Sequence, residues 1–160
     1  MKDSDRFDSI DVAMNIVEHI ERRESGATKF LVLKKSKKYR EHRERYAENP
    51  WEVPGGKIEL GKEEYTEEEI KEEAWRELNE ETDLPVKKEE FKEKASTAEP
   101  YSNRQEGVEI TFYPVLYSFQ KSLESVQTVS EEHESFEWIS EEEFSDRMTE
   151  NEIEALERVQ

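Results

Sequence analysis

The feature that most constrains this chain is a glycine-rich turn followed by a helix that carries three closely spaced glutamates. The turn is WEVPGGKIELG, residues 51–61, and the helix ends within AWRELNEETDL, residues 74–84. Glu77, Glu80 and Glu81 stand at relative positions 0, 3 and 4, so their carboxylates share one stripe of the helix. Hard divalent cations prefer such oxygen ligands and keep coordination sites for substrate phosphates. The segment therefore predicts a cation site and phosphate chemistry.

A solvated helix face is the competing interpretation of the same glutamates. Glutamate supplies 36 of the 42 acidic residues of this chain, and it is a good helix former. Three acids at helical spacing could then arise without any ligand. The glycine turn, Arg76 and Leu78 in register, and the end of the helix before Leu84 favour the cation site.

Length and charge restrict the classes of protein to which the chain can belong. Its 160 residues fit one domain, predicted over residues 1–160, with disorder allowed for only in residues 1–8. A net charge of −18 argues against duplex nucleic acid and anionic membranes as partners. The absence of cysteine excludes disulfides and thiolate sites, and no apolar run resembles a signal peptide or a membrane span. A cytoplasmic protein is expected; its oligomeric state is not determined by the sequence.

Hydrophobic periodicity and capping residues predict an α+β fold, a mixed sheet flanked by helices. A helix is expected over 66–82, with Thr66 and Glu69 as a capping box and with Ala74, Trp75 and Leu78 turned away from the acid stripe. Pro114 suggests an edge position or a bulge. Strands are expected at 12–20 and 29–35 (a hairpin), 51–53, 91–98, 108–119 and 136–139, and two helices follow Ser140 and Thr149.

Taken together, these residues resemble the Nudix box, which reads Gly, five residues, Glu, seven residues, Arg-Glu-aliphatic-any-Glu-Glu-any-Gly-aliphatic. Gly56 corresponds to the first glycine. The second half of the pattern is matched by Arg76, Glu77, Leu78, Glu80, Glu81 and Leu84. Residues 51–54 (WEVP) and 136–140 (FEWIS) also resemble members of the family, so the resemblance covers most of the chain and implies the family's α/β/α sandwich.

The chain departs from the Nudix pattern at two places. Six residues are inserted after Gly61, so the isolated glutamate of the pattern has three candidates, Glu63, Glu64 and Glu68. Asp83 replaces the second glycine, and aspartate tolerates a left-handed turn better than most residues. Neither change removes one of the three helix glutamates.

The resemblance implies a Mg²⁺-dependent pyrophosphohydrolase that acts on a nucleoside diphosphate linked to another group, with Mn²⁺ able to substitute. By position in the motif, the metal ligands are Glu77, Glu80, Glu81 and the carbonyl of Gly56. Arg76 is expected to pair with a loop glutamate and to hold the helix against the glycine turn. Metal ions in such sites neutralise phosphate charge and acidify a water for attack on phosphorus.

The proton from that water requires a carboxylate, either Glu77 or one outside the box. Glu134, just before the last predicted strand, is the best outside candidate, and Glu106 and Glu109 are weaker ones. His133 is interpreted as a surface residue, and Trp51 as a core residue in preference to a base-stacking one.

A basic segment stands out in this acidic chain. Seven cations lie within residues 34–45: Lys34, Lys35, Lys37, Lys38, Arg40, Arg43 and Arg45. One interpretation is a substrate-binding loop in which Arg40, Arg43 and Arg45, with Lys57 nearby, attract a polyphosphate. The other is a solvated loop that offsets neighbouring acids.

Three functions remain compatible with the sequence. They are a pyrophosphohydrolase, a Nudix-fold module that binds a nucleotide without cleaving it, and an acidic interaction protein with a fortuitous motif. For the first, nucleoside triphosphates are favoured over damaged nucleotides, ADP-ribose and dinucleoside polyphosphates, because the chain is short. Intact Glu77, Glu80 and Glu81 favour catalysis over simple binding.

The basic segment leads to a kinetic prediction. Replacing Arg40, Arg43 and Arg45 with serine should raise KM for a nucleotide substrate and flatten its dependence on salt, because electrostatic attraction of the polyphosphate is lost. Steady-state kinetics between 50 and 300 mM salt, roughly one halving of the Debye length, measure this. Unchanged KM and salt dependence would remove the segment from substrate binding.

Overall fold

A computed structural model describes residues 8–20, 28–37, 49–105, 107–119 and 132–160 of the chain. Within these residues the strands are β1 (Asp8–Ile20), β2 (Thr28–Lys35), β3 (Trp51–Glu52), β4 (Gly55–Lys57), β5 (Ser96–Thr97), β6 (Tyr101–Gln105), β7 (Val108–Phe119) and β8 (His133–Ser140). The helices are α1 (Glu67–Glu81), α2 (Lys88–Lys94), α3 (Glu141–Arg147) and α4 (Glu150–Val159).

The centre of the sheet is a long parallel pair, β1 with β7, in register from Asp8↔Val108 to His19↔Phe119. On its other edge β1 pairs with β4 in its first half and with β2 near its end. β2 then pairs with β3, and its far edge carries β8. The segment β3–β4 therefore fills the gap between β1 and β2 where these two strands diverge. This gap is where the glycine turn is held.

Strand alternation divides the buried side chains between the two faces of the sheet. One core, which includes Ala13, Leu33 and Phe91, lies under α1 and α2. The other, which includes Met14, Val32 and Phe144, lies under α3 and α4. The predicted α+β sandwich, a mixed sheet flanked by helices, is confirmed.

Helix α1 begins and ends as its sequence predicts. The hydroxyl of Thr66 accepts the N–H of Glu69 (3.1 Å), and the Glu69 carboxylate accepts the N–H of Thr66 (2.9 Å), which completes a capping box. At the other end the Thr82 hydroxyl donates to the carbonyl of Leu78 (2.9 Å) and accepts from the N–H of Leu84 (3.2 Å). Thr82 thus closes the last turn before Pro85 prevents its continuation.

The predicted division of α1 into an apolar side and a separate acid stripe is wrong. Ala74, Leu78 and Glu81 are all buried. Glu77 and Glu81 stand three and seven residues after Ala74, so they share the stripe that faces the sheet. Glu80 alone among the three predicted ligands is exposed, with 55% of its side chain accessible.

Three further expectations are corrected by the structure. Residues 91–98 were expected to be a strand, but Phe91 lies in α2, where it packs in the core, and only Ser96–Thr97 is extended. No strand is among the predictions for residues 101–105, but they form β6, which turns into β7 at Gly107 (φ 81°). Pro114 was expected at an edge or a bulge, but it lies in β7, which is paired on both sides. Proline has no N–H to donate, and at this position the missing donor would point between the ends of β5 and β6. No hydrogen bond of the sheet is therefore lost.

The remaining strand and helix predictions are confirmed within a few residues. They include both C-terminal capping boxes, Ser140 with Glu143 and Thr149 with Glu152. Several predictions lie outside the described residues: the turn of the first hairpin, disorder at the first residues, Glu106 and the arginines of the basic segment. In the described part of the chain no helix has the length and apolar character needed to cross a membrane.

Glu152 connects helix α4 to the segment between β3 and β4. One oxygen completes the capping box with Thr149, and the other accepts the buried N–H of Val53 (2.7 Å). Val53 is the residue that follows Glu52 and precedes Pro54. The C-terminal helix therefore helps to fix the position of the glycine turn on the opposite side of the sheet.

This contact can be tested by comparing two capping glutamates. Glu152→Ala should lower the free energy of unfolding by about 1–3 kcal/mol, because it leaves the N–H of Val53 buried without an acceptor. Glu143→Ala removes the equivalent exposed capping residue of α3 and should cost less than about 1 kcal/mol. Urea unfolding at pH 6 measures both variants. Equal losses of unfolding free energy in the two variants would mean that the contact with Val53 adds no stability beyond helix capping.

Candidate metal and catalytic site

Strand β4, called the glycine strand because it contains Gly55 and Gly56, lies closer to helix α1 and to β1 than larger residues would allow. The N–H of Gly55 donates to Glu81 Oε1 (2.8 Å). A Cβ atom on Gly56 would lie 2.5 Å from Glu77 Oε2, and one on Gly55 would lie 2.2 Å from the carbonyl oxygen of Ala13. A side chain at Gly55 would collide with the backbone of β1, so glycine is required there, whereas a Cβ at Gly56 would force the Glu77 carboxylate to move.

Arg76 organises the acids of the helix and not those of the loop. Its guanidinium contacts Glu73 (2.8 Å), Glu77 (3.2 Å) and Glu80 (3.0 Å). The loop partner expected for Arg76 is therefore wrong for the described residues. Glu73 supplies the connection to the loop, because its other oxygen accepts the N–H of Glu59 (3.3 Å). Of the suggested isolated glutamates, Glu68 pairs with Lys92 at 3.0 Å.

A second group of charged side chains comes to the site from β2, β3 and β8. Lys35 Nζ contacts Glu52 (3.1 Å) and makes a hydrogen bond to Glu132. His133 Nε2 lies 2.7 Å from Glu52 Oε2, and its Nδ1 lies 3.6 Å from Glu81 Oε2. Ligand atoms of Glu52, Glu132 and His133 all lie within 4.8 Å of one another. The two groups meet where His133 approaches Glu81.

The interpretation of His133 as a surface residue is wrong, because none of its side chain is exposed. An irregularity in the β2–β8 register explains its position. Lys34 pairs with Ser135 and Lys35 pairs with His133, so Glu134 is an additional residue at a bulge. The bulge brings His133 to the face covered by α1. Glu134 is exposed and lies 3.8 Å from Lys34 instead.

The other predicted site residues lie at different distances from this cluster. Glu80 is at its rim, paired with Arg76. Lys57 is exposed in β4, and alternation along that strand turns it away from the face on which Gly56 meets Glu77. Glu109 is exposed in β7, opposite Arg104 in the ladder. Trp51 is half-buried against the second core, with the Arg147 guanidinium 4.9 Å from its ring centre.

Burial and mutual repulsion raise the pKa values of the helix acids. Desolvation, opposed by Arg76 and assisted by Glu80 and Glu132, raises the pKa of Glu77 to about 7. Desolvation and the charge of Glu52 raise the pKa of Glu81 well above its usual range. Burial would also raise the pKa of Glu52, but the hydrogen bond to His133 and the charge of Lys35 outweigh it, so that pKa is lowered.

These properties fit a divalent cation. The carboxylates of Glu77, Glu81, Glu52 and Glu132 converge in a partly buried space, and repulsion between neighbouring carboxylates adds to burial in raising the pKa values of Glu77 and Glu81. The glycine strand leaves room for the Glu77 carboxylate where a Cβ would stand. Oxygen donors of this kind suit Mg²⁺ or Mn²⁺.

Comparison with known proteins identifies the family. A family model described as the NUDIX domain matches residues 15–159. This chain belongs to the NUDIX domain family. The match includes the glycine turn, helix α1 and the β8 cluster, so the resemblance drawn from residues 51–84 is confirmed. Among curated proteins, no sequence matches.

Solved structures show the same Nudix fold at low sequence identity. A complex of the C. elegans Ap4A hydrolase is 19% identical, with a TM-score of 0.57 and 94% of each chain covered. The NUDIX domain of Shewanella oneidensis NrtR, complexed with ADP-ribose, is 12% identical, with a TM-score of 0.65, 99% of this chain covered and 91% of that one.

A third structure is larger than this Nudix domain. It is a bifunctional NMN adenylyltransferase/ADP-ribose pyrophosphatase from Francisella tularensis, complexed with AMP and a manganese ion. It is 16% identical, with a TM-score of 0.66; the match covers 96% of this chain and 41% of that one.

Sequence reasoning missed Lys35, Glu52, Glu132 and His133 as parts of the site. A signal existed for Lys35, because Leu31, Leu33 and Lys35 alternate onto one face of β2. In β8, Trp138 and Phe136 face the core under α1, so regular alternation would place Glu134 on the same face. The bulge places His133 there instead. The bulge itself has no signal in the local sequence.

The raised pKa values predict a pH dependence of stability. A carboxyl group whose pKa is about 7 when folded and 4.5 when unfolded binds more protons in the folded state between these values. The free energy of unfolding of the metal-free protein should therefore fall as pH rises from 5 to 8. Glu77 alone can contribute up to about 3 kcal/mol to this fall.

Urea unfolding in EDTA at pH 5, 6, 7 and 8 measures this dependence, with Glu77→Gln as the variant that should flatten it. Millimolar Mn²⁺ should restore stability mainly at pH 8, where the acids are ionised. A metal-free protein that becomes more stable as pH rises through this range would contradict the prediction.

Proposed function

We propose that this protein is a divalent-cation-dependent hydrolase that cleaves a phosphoanhydride bond of a nucleotide or nucleotide derivative. The observation that carries the proposal is the convergence of Glu77 and Glu81 from α1 with Glu132, the residue before β8, beside the Gly56 strand. An acidic interaction protein has no need to bury these carboxylates against one another at a cost in desolvation.

In this proposal the carbonyl of Gly56 and the carboxylates of Glu77, Glu80 and Glu81 would hold Mg²⁺, for which Mn²⁺ could substitute. A cation bound there would neutralise phosphate charge and make a water more acidic. Arg76 keeps three helix carboxylates in a fixed arrangement through its contacts with Glu73, Glu77 and Glu80. Two of the three proposed helix ligands, Glu77 and Glu80, are thus held in place by Arg76 before substrate binds.

Glu132 replaces Glu134 as the proposed proton acceptor outside the helix. It is near enough to Glu77 and Glu81 to raise both of their pKa values, whereas Glu134 lies on the other face of β8. The hydrogen bond from Lys35 keeps the Glu132 carboxylate directed toward the site. A carboxylate held in this way can accept the proton that the attacking water loses.

The substrate class is a nucleotide with at least one phosphoanhydride bond. The names of the similar structures include Ap4A hydrolase and ADP-ribose pyrophosphatase, and two of those structures contain ADP-ribose or AMP. These names support nucleotide substrates in general. The preference for nucleoside triphosphates stays a prediction.

A phosphate-release screen over nucleoside triphosphates, ADP-ribose and dinucleoside polyphosphates with Mg²⁺ tests the proposal. Glu80→Gln/Glu81→Gln should lower kcat/KM about a hundredfold or more, because two proposed ligands lose their charge. The matched control is Glu68→Gln/Glu72→Gln, which removes two acids from the same helix that pair with Lys92 and Lys88. The control should retain activity.

Two results would contradict the proposal. Equal activity of both double variants would remove the helix acids from the chemistry. Binding of nucleotide without turnover of any substrate in the panel would indicate a nucleotide-binding module instead.

A further inference from the structure

His133 lies between the carboxylates of Glu52 and Glu81. Its ring is fully buried at the bulge of β8, and Nε2 contacts Glu52 at 2.7 Å. Glu52 also accepts from Lys35 (3.1 Å), and an ionised carboxylate only accepts hydrogen bonds. Nε2 therefore donates to Glu52, which fixes the orientation of the imidazole ring.

The fixed ring turns Nδ1 toward the metal-site helix. Nδ1 makes no hydrogen bond within the described part of the chain, and Glu81 Oε2 stands 3.6 Å away. The other oxygen of Glu81 accepts the N–H of Gly55 at 2.8 Å. The Glu81 carboxylate thus has a neighbour on two sides: it is hydrogen-bonded to the glycine strand at Oε1, and it lies in van der Waals contact with the imidazole at Oε2.

We propose that His133, held by Glu52 and Lys35, is a positioning residue that sets the orientation of the Glu81 carboxylate for cation binding. The inference rests on the proposed function in its cation site, but not on the identity of the substrate. Side chains behind a metal ligand commonly fix its orientation, and their loss weakens metal affinity about 10–100-fold. Here the supporting residues come from β2, β3 and β8, so the sheet, and not only the helix, determines the geometry of the ligand.

Direct ligation by His133 is the alternative arrangement, because ligand atoms of Glu52, Glu132 and His133 lie within 4.8 Å of one another. The position of Lys35 argues against it. Its ammonium group contacts both Glu52 and Glu132, and so already supplies a positive charge to the two carboxylates of that trio. In this arrangement the imidazole contacts the carboxylate of Glu81 and does not bind a cation directly.

Mn²⁺ binding measured by electron paramagnetic resonance tests the inference without any substrate. His133→Phe keeps an aromatic ring at this position and removes both nitrogens, so the Kd for Mn²⁺ should rise about tenfold or more. His133→Gln retains an N–H donor for Glu52, which protects folding, but places no atom beside Glu81, so its Kd should also rise. His19→Phe, a histidine of β1 that contacts Phe119 and Trp138, is the matched control and should bind Mn²⁺ as the wild type does.

Two further readouts separate positioning from ligation and from a purely structural role. Echo-modulation spectra of the wild-type Mn²⁺ complex should lack the coupling of a directly bound nitrogen, and its presence would overturn the inference. His133→Gln should lower kcat at saturating Mn²⁺ and leave KM for the nucleotide nearly unchanged. Wild-type Mn²⁺ affinity in folded His133→Phe or His133→Gln would overturn the inference, as would a wild type that binds no Mn²⁺.

The same experiments distinguish this inference from the proposed function. Mn²⁺ binding that depends on His133, in a protein that hydrolyses no nucleotide, would support the inference and refute the hydrolase. Hydrolysis of a nucleotide by a protein whose Mn²⁺ affinity does not depend on His133 would support the hydrolase and refute the inference.

Discussion

The close approach of the Gly55–Gly56 strand to helix α1 is the contact on which the site depends. Two residues without Cβ atoms let the strand lie against β1 on one side and against the carboxylates of Glu77 and Glu81 on the other. A Cβ at Gly56 would displace the Glu77 carboxylate from its present position, and one at Gly55 would collide with the backbone of β1. The high pKa values of the two acids follow from the burial that this approach imposes.

The remainder of the fold keeps that contact in place. β1 and β2 diverge, and the segment from Trp51 to Lys57 occupies the gap between them. Glu152 holds Val53 from the opposite face of the sheet, and Glu73 ties the following loop to α1. Carboxylates that repel one another are therefore fixed by neighbours on every side, and a cation is the natural way to relieve the repulsion.

The helix and its motif could be read from the sequence because their signals are local. The capping box at Thr66, the spacing of Glu77, Glu80 and Glu81, and the glycines before them lie within 27 residues of each other. The prediction of a strand at 91–98 was wrong because a short apolar segment around Phe91 is equally compatible with a buried helix and with a strand. The hairpin of β6 and β7 was missed because polar residues such as Asn103 and Arg104 form an exposed strand without periodicity.

The sequence by itself determined the family, the sandwich of sheet and helices, and the three glutamates of α1, because a helix repeats every 3.6 residues whatever surrounds it. Only the tertiary structure decided which of these acids is buried, and that Glu132 and His133, not Glu134, reach the site. The physical reason is that one additional residue in a strand reverses the faces of its neighbours. That bulge depends on the pairing of β8 with β2, two strands that are far apart in the chain.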